Sequence, residues 1–239
     1  MWNYQYDKSC EKQGKALIFN LYSENEGGSI DVTNLTSTLG NYYGFDVEVC
    51  TQKTYNEIHN KLTDAGLENY EKYNCIMVVM LAHGNNVGIC AEDQTFQTSE
   101  LWVPFTKCTT LIGKPKIFLI QACRGNLQDS GLQVDSSRSI SSIILPRMTD
   151  ILIIYSCFEG YVSYITSEGT PFIKELCKEM IKEDNRELEF CQILTIVNYK
   201  ISSYYNFGGD GKEVLKKQAP TYVSSLRKGL YFSPKIIKK

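Results

Sequence analysis

The sequence has few histidines, a balanced charge and no long hydrophobic run, and each of these shortages excludes a class of function. His59 and His83 are the two histidines of the 239-residue chain, and no Cys-x-x-Cys pair occurs, so the usual ligand spacings of a zinc site are absent. The 25 Lys and Arg against 27 Asp and Glu leave a net charge of −2, which gives no electrostatic reason to expect nucleic acid or an anionic membrane as a partner. Apolar runs such as residues 75–82 are far shorter than the roughly 20 residues of a membrane-spanning helix.

The cysteines do not indicate a disulfide framework. Their number is nine, which is odd, and they are spread from Cys10 to Cys191. Residues 1–4 lack the cationic start and apolar stretch of a secretory signal, so the cytoplasm is the expected compartment. In a reducing compartment most of these thiols are expected to be small buried apolar groups.

Short β-like runs alternate with amphipathic helical segments, and this alternation predicts an α/β fold with a mostly parallel sheet covered by helices. The run at residues 75–81 is apolar on both faces, which is typical of a buried central strand. The predicted strands are residues 16–19, 45–49, 75–81, 116–120, 150–155 and 230–232, and the predicted helices are residues 32–39, 55–65, 172–182 and 188–199.

One segment interrupts the alternation and divides the predicted domain. Residues 126–149 are rich in Ser, Gly, Asp and Arg and are long for a connection within a compact domain, so we predict an exposed linker loop there. The expected organisation is a short N-terminal segment at 1–14, a larger part at 15–135 that includes the start of the linker, and a smaller part of the same domain at 150–239.

Two of the predicted buried strands end in reactive side chains. Residues 77–81 lead into His83 and Gly84, and residues 117–120 lead into Cys123. The carboxyl ends of parallel strands form a crevice in which side chains from neighbouring strands can meet. An imidazole there could take the proton of the thiol, and the amides of Gly84 and Cys123 could hold an oxyanion. The spacing alone leaves open that Cys123 is a structural thiol at a strand end.

The residues around Cys123 match a known signature. The stretch 121–125 reads Gln-Ala-Cys-Arg-Gly, the five-residue caspase signature, and His83 lies 40 residues upstream. The sequence resembles the caspase family over nearly its whole length. Further matching pieces, in order, are residues 15–20, 27–35, 81–84, 146–156, 160–163, 172–177, 192–198, 217–220 and 230–232.

The resemblance implies a three-layer caspase-like fold, with a six-stranded mostly parallel sheet flanked by helices. It implies a Cys123–His83 dyad assisted by Gly84, with no metal or other cofactor, and dimerisation through the last strand with itself or with another caspase. It also implies processing within the linker after an aspartate, for which Asp135 is the better candidate and Asp129 the other. Because about 14 residues precede the first strand, an executioner-like or accessory layout is expected.

The sequence departs from the family pattern at the substrate pocket. Caspases hold the aspartate before the scissile bond with two arginines and the signature glutamine, which is Gln121 here. Asn25 stands at the first arginine position, or Glu26 in a neighbouring register. The second position, after Ser163 and Tyr164, is Ile165. By this mapping, only Arg124, inside the signature, lies near the site. The five arginines of the chain are Arg124, Arg138, Arg147, Arg186 and Arg227.

Three functions are compatible with this pattern. The first is a weak or inactive decoy in the apoptotic pathway, which pairs with a competent caspase or occupies its regulators. The second is an active cysteine endopeptidase that acts on protein substrates with altered specificity. The third is a paralogue without a role in cell death. Loss of both arginines predicts an efficiency about 10³-fold lower toward aspartyl substrates, because a buried carboxylate would lose its charged partners.

Overall fold

The computed structural model describes residues 4–24, 26–125, 149–166, 168–205 and 217–235. Its main feature is a six-stranded sheet of order β2-β1-β3-β6-β7-β8, beside a two-stranded sheet of β4 and β5. The first five strands of the main sheet are parallel, and β8 is antiparallel to β7. The strands are β1 (Lys15–Asn20), β2 (Asp46–Cys50), β3 (Ile76–Leu81), β4 (Ile89–Cys90), β5 (Thr95–Phe96), β6 (Lys116–Gln121), β7 (Ile151–Tyr155) and β8 (Thr221–Ser224).

Helices cover both faces of the main sheet. The α-helices are α1 (Gly28–Leu35), α2 (Tyr55–Gly66), α3 (Pro171–Ile181) and α4 (Phe190–Tyr204). α1 continues as a π-helical segment, Thr36–Tyr42, and short 3₁₀ helices lie at Thr98–Leu101, Val103–Lys107, Thr109–Leu111 and Glu183–Asn185. Within the described ranges, no helix combines the length and the apolar character needed to cross a membrane.

The central strand β3 explains why the molecule has three layers. All six of its residues are buried. Met77, Val79 and Leu81 pack in the core beneath α1, α3 and α4. The alternate residues Val78 and Met80 belong to a second core beneath α2 and the 3₁₀ helices. Since successive strand residues point to opposite faces, a strand apolar at every position needs helices on both sides. The predicted three-layer α/β fold is confirmed.

The predicted last strand at residues 230–232 is wrong. The last strand is β8, and Val223 pairs with Ile153 of β7. Leu230 and Phe232 are buried in the core, and the carbonyl of Leu230 accepts a hydrogen bond from the Phe190 amide at the start of α4. The apolar triplet therefore fills the core and caps a helix instead of joining the sheet.

The predicted helix at residues 32–39 lies within α1 and its π-helical continuation, but the helix begins earlier than predicted. It begins at Gly28, directly after Gly27, whose φ of 80° is in the left-handed region that favours glycine. The polar start of this helix, with Ser29 and Asp31, gave no apolar periodicity from which its first turn could be predicted.

Candidate active site

The candidate thiol and imidazole lie at the carboxyl ends of neighbouring strands. β3 and β6 pair in parallel, with Leu81 opposite Gln121 in the last register position. His83 follows Leu81 by two residues, and Cys123 follows Gln121 by two residues. The matched register therefore brings both side chains to the same edge of the sheet.

The sulfur of Cys123 is held by the backbone of a segment that follows β7. The amide of Ser163 donates a hydrogen bond to Cys123 Sγ at 3.2 Å, and the thiol donates to the Ser163 carbonyl oxygen at 3.4 Å. The hydrogen bonds of the described residues do not join Cys123 to His83. The thiol is thus tied to the smaller part of the domain, while the imidazole belongs to the larger part.

The imidazole of His83 is paired with a carboxylate. His83 Nε2 lies 2.7 Å from Glu26 Oε1, and the His83 side chain is 57% exposed. The rings of Tyr22 and His83 pack edge to face, with their centroids 5.1 Å apart. The other oxygen of Glu26 accepts hydrogen bonds from the Ser23 hydroxyl at 2.7 Å and the Ser23 amide at 2.8 Å. The hydrogen bonds from Ser23, with the contact to His83, lower the pKa of the Glu26 carboxyl to about 2.

Gly84 lies tightly against the loop that carries the thiol. A Cβ atom at this position would lie 2.3 Å from the carbonyl oxygen of Cys123, so only glycine fits without displacing the backbone. Gly84 forms a bridge with Ile89, but the hydrogen bonds of that bridge run between flanking residues, from Asn85 to Gly88 and from Cys90 to His83. The bridge leaves the Gly84 amide unused, as an oxyanion donor requires.

The side-chain oxygen of Gln121 accepts no hydrogen bond from the described residues. Its side chain is almost fully buried, at 1% exposure. The Gln121 Nε2 donates to Ser163 Oγ at 2.8 Å, and among the described residues its Oε1 has no hydrogen-bond partner. Neither Gln121 nor Ser163 is paired with a lysine or an arginine among the hydrogen bonds and ion pairs of the described residues. The site around Gln121 therefore contains an unsatisfied acceptor and no paired cation.

Of the remaining candidate pocket residues, Ile165 is apolar, Tyr164 is held through its backbone, and Asn25 lies outside the described ranges. Ile165 is partly buried and packs against the core that contains α1, α3 and α4. The amide of Tyr164 donates to Gln218 Oε1 at 3.1 Å. Asn25 and the two candidate processing residues, Asp129 and Asp135, are outside the described residues.

The arginines of the described chain are engaged in other contacts. The guanidinium of Arg124 stacks over the Tyr155 ring, 3.9 Å from its centroid. Arg186 pairs with Glu183, and Arg227 pairs with the buried Asp150. Arg138 and Arg147 lie outside the described residues.

One lysine, Lys53, lies close to the site. Its Nζ donates hydrogen bonds to two backbone oxygens at the end of β1, those of Asn20 at 2.6 Å and Tyr22 at 3.2 Å. These carbonyls fix the ammonium group to the backbone. The contacts of Lys53 therefore stabilise the segment after β1 and do not supply a cation to Gln121.

Cys123 is also distinguished from most other thiols by its exposure. Five cysteines are buried and four, Cys10, Cys90, Cys123 and Cys191, are partly exposed. Burial raises the pKa of the Cys157 thiol, which lies behind the loop of Cys123, to about 12. The described residues contain no group of three or more His, Cys, Asp or Glu side chains that could hold a metal ion.

Comparisons with known proteins agree with this architecture. The family model of the caspase domain matches residues 13–231. Caspase-6 from Gallus gallus is 32% identical, over 97% of this chain and 84% of the relative. Caspase-3 from Xenopus laevis is 35% identical, over 95% of this chain and 83% of the relative. The crystal structure of caspase-1 from Spodoptera frugiperda has a TM-score of 0.85 and 30% identity, and the alignment covers 99% of this chain and 96% of that one. A matching sheet, a family model over nearly the whole chain and these relatives together show that the chain belongs to the caspase family of cysteine peptidases.

Proposed function

We propose that this chain is a caspase-family regulator of the apoptotic pathway, which cleaves poorly after aspartate and acts by pairing with a competent caspase. The observation that carries the proposal is the composition of the pocket. Ile165 stands at the second arginine position of the family pattern, and the signature glutamine, Gln121, has an acceptor oxygen without a hydrogen-bond partner among the described residues. Neither group is a cation that could pair with a carboxylate.

Binding of an aspartyl substrate would require desolvation of its carboxylate. An aspartate side chain that enters a caspase pocket leaves water and must recover its hydration energy from cations. An alkyl chain recovers none of it, and a neutral amide recovers less of it than two charged partners would. The loss of charged partners at a buried carboxylate corresponds to about 10³-fold in efficiency. A protein with this pocket would bind aspartyl substrates too weakly to act as an ordinary caspase.

The pairing is supported by the free edge of the sheet. β8 is the last strand in the sheet order, and Val223 in it is 38% exposed. An exposed edge strand offers unpaired backbone groups to a second chain. Caspases dimerise and act on protein substrates, and a heterodimer would place this chain beside an intact active site. We place the complex in the cytoplasm.

Linker processing belongs to the same proposal. Cleavage after Asp135, or after Asp129, would separate the larger part of the domain from the smaller part. The competent partner would be the protease that cuts there, since this chain is expected to cut poorly after aspartate. The proposal therefore includes this chain as a substrate of its partner.

A second candidate function is an active cysteine endopeptidase with a different residue preference before the scissile bond. The observation in its favour is that Cys123, His83 and the unused amide of Gly84 are all retained at one sheet edge. An imidazole can activate a thiol whatever side chain the neighbouring pocket accepts. Altered specificity would follow from the same loss of cations.

The test is a mixing experiment with a competent caspase of the same pathway. We expect that adding the purified chain changes the partner's aspartyl-peptide cleavage at least twofold, and that Cys123→Ala has the same effect as the unchanged chain. The equal effect is expected because pairing needs the edge strand and not the thiol. An unchanged partner activity at micromolar concentration would contradict the proposal, as would an effect that disappears with Cys123→Ala.

A further inference from the structure

The most specific contact at the candidate site is the carboxylate on the imidazole. Glu26 Oε1 lies 2.7 Å from His83 Nε2, and Glu26 Oε2 is fixed by two hydrogen bonds from Ser23. The loop that carries Glu26 connects β1 to α1, and the Tyr22 ring from the same loop packs on the imidazole. In the sequence, Glu26 stands out only because it occupies the first arginine position in one register and is not a cation. No spacing rule linked it to His83, because 57 residues separate them.

This contact determines which nitrogen of the imidazole carries the proton. The pKa of Glu26 is about 2, so its carboxylate is ionised near neutral pH and can only accept hydrogen bonds. The neutral imidazole must therefore place its proton on Nε2 to satisfy Glu26. Nδ1 is then left with its lone pair, and the hydrogen bonds of the described residues do not use Nδ1.

We propose that Glu26 is a positioning residue that holds His83 in the Nε2-protonated form, so that Nδ1 can act as the base for Cys123. In the step this prepares, the S–H bond of Cys123 breaks, its electron pair stays on sulfur, and the proton forms an N–H bond at Nδ1. The imidazolium that results lies against the Glu26 carboxylate, which stabilises its charge. The arrangement extends the Cys–His dyad to a Cys–His–carboxylate triad.

This inference goes beyond the proposed function, because it concerns the reactivity of the thiol and not the residue that the pocket accepts. It holds whether the chain cleaves a peptide or only pairs with a protease. Its test therefore uses a small electrophile, iodoacetamide, which the thiolate attacks with loss of iodide. No substrate pocket is needed for this reaction.

The first measurement is the rate at which iodoacetamide modifies Cys123 in the full chain at neutral pH, followed by peptide mass spectrometry. We expect Glu26→Ala to slow the modification of Cys123 about tenfold, as the loss of a charge-assisted hydrogen bond implies. Cys90, which is also partly exposed, serves as an internal reference that should not change. Glu24→Ala is the matched control, since Glu24 is an exposed acid in the same loop.

The second measurement is the ¹⁵N NMR spectrum of the two imidazoles, assigned with His59→Gln. We expect the unchanged chain to show a protonated Nε2 and an unprotonated Nδ1 for His83, and Glu26→Ala to lose this preference. Ser23→Ala removes the Ser23 hydroxyl that holds the Glu26 carboxylate but keeps the carboxylate itself, so it should give a smaller effect in both experiments. A Cys123 rate within twofold of the unchanged chain together with an unaltered tautomer would overturn the proposal. Faster modification in Glu26→Ala would also overturn it, because the contact would then restrain His83 from reacting.

Discussion

At the scale of single residues, the proposed loss of aspartate recognition depends on two side chains, Ile165 and Gln121. Ile165 is partly buried and packs against the core, and if it lines the pocket, as the family pattern predicts, it would offer a substrate only an alkyl surface. Gln121 supplies a neutral amide, whose Nε2 donates to Ser163 Oγ and whose Oε1 has no hydrogen-bond partner among the described residues. Under this proposal, the retained thiol and imidazole would not compensate, because chemistry at the scissile bond requires that the substrate binds first.

Restoring the two family arginines tests this residue-scale account. We expect Asn25→Arg with Ile165→Arg to raise kcat/KM toward aspartyl peptides by about 10³-fold, because the carboxylate regains two charged partners. The measurement is cleavage of a fluorogenic aspartyl peptide, with each single substitution and the double variant carrying Cys123→Ala as controls. A folded double variant with no gain would show that these positions do not line the pocket.

At the scale of secondary-structure elements, a buried carboxylate connects two helices. Asp31 of α1 is fully buried, and its two oxygens accept hydrogen bonds from the Thr170 amide, at 3.0 and 3.2 Å, at the start of α3. Burial raises the pKa of Asp31 to about 6, although the hydrogen bonds from Thr170 oppose this increase. The folded protein thus binds a proton on Asp31 more tightly than the unfolded chain does.

The raised pKa predicts a specific pH dependence of stability. Because the folded-state pKa exceeds the unfolded value, the contribution of Asp31 is present in full below pH about 4 and is lost as the pH rises through about 6. Relative to Asp31→Asn, which does not titrate, the free energy of unfolding should fall by on the order of 2–3 kcal/mol across this window. Urea denaturation of both proteins at several pH values measures the difference. A difference that is constant with pH would contradict the assignment.

The elements also show how far the sequence could be interpreted. The buried strands β3, β6 and β7 are predicted well, because continuous apolar runs such as 76–81 have few alternative structures. The strand β8 is missed, since its sequence Thr-Tyr-Val-Ser is short, half exposed and without strict alternation. The position of Cys123 and His83 follows from strand ends, which are local features. The pairing of Glu26 with His83 is not predictable in this way, because it depends on how a loop after β1 folds across the edge of the sheet.

At the scale of the whole molecule, the sheet has two edge strands, and the proposed pairing uses one of them. β8 ends the sheet on the side of the smaller part, and β2 ends it on the side of the larger part. Val223 in β8 and Val49 in β2 are both exposed, at 38% and 46%. We propose that another caspase pairs at β8, and we expect no partner at β2.

A matched pair of substitutions tests this assignment. We expect Val223→Lys to weaken self-association, and association with a competent caspase, by tenfold or more, because a lysine on an edge strand disfavours the approach of a second strand. Val49→Lys should leave both unchanged. Sedimentation velocity over a range of concentrations measures the two variants. Equal effects of the two substitutions, or an effect of Val49→Lys alone, would place the interface elsewhere.

The most direct test of the central claim, that this caspase-family chain has lost the recognition of aspartate, is a peptide library varied at the residue before the scissile bond. The purified chain, its Cys123→Ala variant and a competent caspase are assayed side by side. We expect turnover after aspartate to be about 10³-fold below that of the competent caspase. Cleavage after aspartate at a comparable rate that disappears with Cys123→Ala would contradict the account.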